Sequence, residues 1–120
     1  MTQSTGELVT EFEAFVGRMA DAAGAYTVKA GVSIIPVDQV EFVVSSFAGR
    51  PMFYDIKLAF DGQTVAEVSC VDRAFSVLNN AGDIEREGKA AEGYATHVME
   101  ELSELEFSGR LVPQPVIANA

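Results

Sequence analysis

A chain of 120 residues, 48% hydrophobic and 22% charged, has room for one domain with a modest core and is too apolar to be disordered. Eighteen acidic residues against eight basic ones give a net charge of −10 and a pI near 4.3. That field repels phosphate backbones and anionic lipid, so neither nucleic acid nor membrane is an expected partner, whereas a basic protein is.

No apolar run approaches the ~20 residues of a membrane span. The start, MTQSTGELVTEF, has neither the basic nor the apolar stretch of a secretory signal. Cys70 is the single cysteine and has no internal partner for a disulfide, which fits a cytoplasmic location.

Taken in chain order, Ser4 and Glu7 have the spacing of a capping box. Leu8, Phe12, Phe15, Met19, Ala22 or Ala23, and Tyr26 then recur every three or four positions. This predicts an amphipathic helix of about 20 residues, with Gly24 as its weak point. The period next changes to two. GVSIIPVDQVEFVVSSF reads as a short strand ending near Pro36 and a second strand with Val40, Phe42 and Val44 on one face. In MFYDIKLAF, Tyr54, Ile56, Leu58 and Phe60 share a face, with Asp55 and Lys57 opposite.

The hairpin into QTVAEVSCV has a testable register. A plain two-residue turn at Asp61-Gly62 sets Phe60 against Gln63 and Ile56 against Glu67, so the apolar faces disagree. A slip of one residue matches Phe60, Leu58, Ile56 and Tyr54 with Thr64, Ala66, Val68 and Cys70, and Lys57 with Glu67. The faces therefore favour an odd-length loop with a glycine bulge, and they put Cys70 inside.

Beyond Cys70, Asp72 reads as the cap of a short helical turn containing Ala74, Phe75 and Leu78. From Asp83 onward, Ile84, Ala91, Tyr94 or Ala95, Val98, Leu102 and Leu105 form a second long stripe. Glu85, Glu92, Glu100 and Glu104 lie on its other side. Residues 109–120, with two prolines, read as an extended C-terminal arm able to add to a strand edge. The expected architecture is a single α+β domain over 1–120. It has an N-terminal helix, an antiparallel meander of three or four strands, and C-terminal helices packed on one sheet face.

The chemistry is read mainly by exclusion. Cys70, His97 and Asp72 invite comparison with a thiol nucleophile, its base and an orienting acid. Cys70, however, alternates in phase with the core residues, and a buried thiol resists ionisation. His97 has Glu100 and Glu101 three and four positions on, but no second histidine exists to complete a metal site. No phosphate-binding loop, CxxC, HExxH or GxSxG motif is present, and no catalytic residue, metal or cofactor is expected. Asp55 and Glu67, with Lys57 among them, become a polar site only if a second layer covers them.

Ala59, Val65, Val43 and Val71 make the expected outer sheet face semi-apolar, which suggests a homodimer, a fourth strand crossing it, or a bound partner. The leading expectation is thus a non-enzymatic acidic protein-binding module, an inhibitor or chaperone of a partner, with Glu92, Glu100 and Glu104 as its contact face. One alternative is a small-ligand binder or enzyme with a pocket between sheet and helices near Tyr26, Tyr54, Tyr94 and His97. Another is a structural subunit of a larger assembly.

Overall fold

The computed structural model describes residues 4–29 and 36–114. Helix α1 runs Thr5–Ala22, capped by Ser4 as its spacing to Glu7 predicts. The Ser4 hydroxyl accepts from the Glu7 amide at 3.2 Å and donates to the Glu7 carboxylate at 3.0 Å.

The helix stops short of Tyr26. Gly24 takes φ +81°, a left-handed conformation that reverses the chain, and Tyr26 lies in strand β1, Ala25–Val28. Tyr26 sits seven residues from Met19, which fits the helical stripe, but the true relation is tertiary. The returning strand brings the Tyr26 hydroxyl to the Met19 carbonyl, to which it donates at 2.8 Å.

The strands that follow are β2 Gln39–Phe47, β3 Arg50–Phe60, β4 Gln63–Val71, β5 Ala74–Leu78 and β6 Ile84–Glu87. Helix α2, Gly88–Phe107, and strand β7, Leu111–Pro113, complete the described chain. Among the described residues the sheet has seven strands in the order β6-β5-β4-β3-β2-β1-β7, against the three or four expected. Every neighbouring pair is antiparallel. The expected strand ending near Pro36 falls on residues 30–35, outside those described. So do residues 115–120 of the expected arm, while 111–113 zip onto this chain's own β1.

The β3–β4 hairpin resolves the register conflict by two devices at once. Asp61 and Gly62 form a two-residue turn, both at positive φ as a type I′ turn requires, so Phe60 does oppose Gln63. The ladder then slips between Leu58 and Ala59, leaving Val65 as the extra residue of a bulge. Beyond it Leu58, Ile56 and Tyr54 pair with Ala66, Val68 and Cys70, and Lys57 with Glu67, one of the pairings that the matching of faces allows. The slip is real, but it sits in the strand and not in the turn.

The expected helical turn after Cys70 is strand β5. Asp72 and Arg73 make a tight turn at φ +50° and +65°, and Cys70 pairs with Phe75. Asp72 is thus no helix cap. Ile84, likewise, precedes α2 and belongs to β6, where all four residues are exposed. A single C-terminal helix among the described residues, where one or two were expected, covers the sheet beside α1.

Both helices pack on one face. Val40, Phe42, Ile56, Leu58, Val68, Cys70, Phe75 and Val77 point into that layer and are buried. Phe12 meets Phe75 and Phe15 meets Phe42 edge-to-face, at ring separations of 5.1 and 5.6 Å. From α2, Ala91, Ala95, Val98, Met99, Leu102 and Leu105 close the core.

Candidate functional site

The acidity of the chain is concentrated in its helical layer. Helices α1 and α2 carry nine carboxylates against Arg18 and Lys89, a net −7 of the chain's −10. Two contacts fix their mutual direction. Near their N-terminal ends the Thr5 hydroxyl donates to Glu92 at 3.0 Å. Toward their C-terminal ends Arg18 grips Glu106 through both guanidinium nitrogens, at 2.7 and 3.0 Å. The helices are therefore parallel, and the negative ends of their dipoles lie side by side.

The Arg18 hydrogen bonds hold the Glu106 carboxyl below its usual range, against the opposing effect of partial burial. The same pairing raises the Arg18 pKa, and its guanidinium also lies 5.5 Å over the Phe15 ring.

Between the two cross-links α1 and α2 leave a groove of about 390 Å³, lined by Glu11, Phe15, Thr96, Met99, Glu100 and Ser103. Phe15 and Met99 supply an apolar floor because they belong to the core-facing stripes; Glu11 and Glu100 stand on opposite walls. Glu104, exposed, follows Glu100 by one helical turn. A groove with an apolar floor and acidic walls favours a cationic, partly apolar occupant.

The other sheet face is bare among the described residues. Lys57 lies between Glu41 and Glu67 on the neighbouring strands, with its ammonium 3.9 Å from the Glu41 carboxylate. Beside them Ser69 donates to Asp55 at 2.6 Å and is buried, although no helix covers it. Glu67 is pushed above the ordinary carboxylate range, first by burial among these side chains and then by Asp55, with Lys57 opposing. A concavity of about 300 Å³ adjoins this row, lined in part by Ala25, Gln39, Ala59, Thr64 and Gln114. At the far end Phe53 and Val71 pair as an exposed apolar strip.

The residues singled out from sequence separate into different places. Glu100 and Glu104 are exposed on α2. Glu92 is half-buried and engaged, by Thr5 and by Lys89 at 3.6 Å, so it ties the helices together. Tyr26 is buried in the core near β7, and Tyr94 lies under Arg86 at the β6 edge, 5.2 Å from ring centre to guanidinium. Tyr54 is half-buried in the middle of the sheet and His97 is exposed on α2. These four do not converge, and neither concavity described above includes them.

Cys70 is 1% exposed, and burial pushes its thiol up to about 11, so it is no ready nucleophile. Among the described residues no group of three metal-ligating side chains forms, and no helix is long and apolar enough to cross a membrane.

Sequence reasoning missed Glu11, Thr96, Met99 and Ser103. Only the way the two helices lie side by side brings them together, and no spacing within one helix announces it. Compared with protein families, curated proteins and solved structures, the chain matches none.

Proposed function

We propose that this domain is an acidic protein-binding module whose helical layer receives a basic surface of a partner, which it inhibits or escorts. The observation that carries the reading is the groove between α1 and α2, with Phe15 and Met99 beneath and Glu11 and Glu100 on its walls. Charge concentrated on one layer steers a cationic partner, and a small apolar floor supplies the short-range anchor. On this reading Glu100 and Glu104 touch the partner, and Glu92 positions the helices that carry them.

The bare sheet face gives less support to a homodimer stacked face to face. Its middle carries Glu41, Asp55 and Glu67 against Lys57, so two copies would press six carboxylates onto two ammonium groups. A partner of opposite charge meets no such penalty.

The test compares the wild-type chain with Glu100→Lys/Glu104→Lys as bait in extracts of the native source. A partner held by the wild type, lost from the variant and released by moderate salt supports the reading. Equal retention by both chains, or recovery of a bare monomer at high partner concentration, counts against it. Light scattering on the purified protein reports its own oligomeric state.

A further inference from the structure

Resting on that reading, we infer that the element received in the α1/α2 groove is an amphipathic basic helix, laid along the two helices as a third. Three observations on the groove select a helix over an extended segment. The first is hydrogen bonding. The groove walls are helices whose backbone groups are consumed within each helix, so they offer no ladder to an incoming strand. An extended peptide lying over Phe15 and Met99 finds only side chains and water for its amides and carbonyls, whereas a helix satisfies them internally.

The second is length. The groove lies between the Thr5–Glu92 contact and the Arg18–Glu106 bridge, and its lining on α2 runs from Thr96 to Ser103, about 10 Å or two turns of helix. The seam between those two contacts, fourteen residues of α1 from Thr5 to Arg18, is about 20 Å long, nearly four turns, so a third helix can lie along it and across the groove.

The third is the lateral pattern. Glu11 stands on the α1 wall and Glu100 on the α2 wall, with the apolar floor between. This matches a helix with an apolar ridge at i, i+4 and i+7 flanked on both sides by Lys or Arg. Among the described residues a second copy of this chain has no such element to offer, since α1 and α2 are both acidic.

The probe is a blocked synthetic peptide of about 14 residues, four turns of helix, with leucines at i, i+4 and i+7 and lysines on both flanks. Its control has the same composition, with the leucines redistributed so that no helical face is apolar. Both are titrated by fluorescence anisotropy into the full chain and into two variants, Glu100→Lys in the groove and Glu85→Lys on exposed β6. Circular dichroism verifies the fold of each variant and reads peptide helicity in the complex.

The amphipathic peptide is expected to bind at least about tenfold more tightly than the control and to gain helicity. It should lose most of that affinity with Glu100→Lys and keep it with Glu85→Lys. Equal binding of both peptides, with both weakened by Glu100→Lys, overturns the helical occupant and leaves the acidic contact face standing. No binding of either peptide, or equal damage from the two variants, overturns both.

Discussion

Along β3, Ile56 and Leu58 face the helices while Asp55 and Lys57, their immediate neighbours, face away. The alternation repeats in β4, where Val68 and Cys70 point inward and Glu67 and Ser69 outward. One face is closed by two helices and consists of buried apolar side chains; the other is bare among the described residues and carries paired charges and hydroxyls at its middle. The same backbone thus supports two surfaces of different physics. Substitutions on the first alter packing and should be expensive, while those on the second alter solvation and pairing and should be mild.

The largest effect should come from the closed face. Phe12 is fully buried and meets Phe75 edge-to-face, so Phe12→Ala is expected to cost about 4 kcal/mol in urea unfolding. A loss below about 1 kcal/mol would show that the layer is loosely packed. The Cys70 thiol probes the same face chemically. With its pKa at about 11, only about one molecule in a thousand is thiolate at pH 8. Alkylation of the folded chain should run at least about 100-fold slower than in urea, and rapid labelling would place Cys70 outside the core.

On the bare face the expected sign reverses. Glu67 has a raised folded pKa, so its ionised form opposes folding at neutral pH, and the stabilisation associated with its proton vanishes as pH rises through that pKa. After solvent screening, Glu67→Gln is expected to stabilise the protein by at most about 0.5 kcal/mol at pH 7. The gain should be absent near pH 3, where both states hold the proton. Destabilisation at pH 7 comparable with a core change would abolish the distinction between the faces.

The smallest effect concerns the cross-link above the closed face. Glu106 has a lowered folded pKa, so its bridge to Arg18 contributes above the unfolded pKa and is lost as pH falls through the folded one. Because both side chains are more than a third exposed, Arg18→Gln should cost only a few tenths of a kcal/mol, about 0.3, at neutral pH. Denaturation curves of the two chains should converge in acid.

The same contrast explains how much was legible in the sequence. The closed face follows a rule of period two or 3.6, so α1, the middle strands, the buried Cys70 and the α2 stripe could all be read directly. Strands β5 and β6 escaped because their turn signals are weak. Asp72-Arg73 adopts the positive φ values of a hairpin turn without the glycine that marks Ala48-Gly49 and Asp61-Gly62. Strand β6 buries none of its residues and so has no pattern to detect.

Strand β1 escaped for the opposite reason, since Tyr26 satisfies helical and strand spacing alike. Glu100 and Glu104 were legible as an acidic helix side, but the groove was not. It depends on the parallel seating of α1 and α2, held by Thr5–Glu92 and Arg18–Glu106 across 87 and 88 residues of sequence.

The pairing of β7 with β1 bears on the order in which the molecule is assembled during synthesis. From β2 to β6 each strand pairs with the next through a hairpin or short connection, so that part of the sheet gathers from neighbours in sequence. Tyr26, by contrast, finds its second neighbour at Pro113, near the far end of the described chain. Until the ribosome has released that segment, β1 has one side of its backbone unpaired, a template for a wrong strand. The three residues of β7, one of them a proline, are too few to stabilise the sheet substantially; their effect is to close that edge, and the nascent chain remains exposed to mispairing until they arrive.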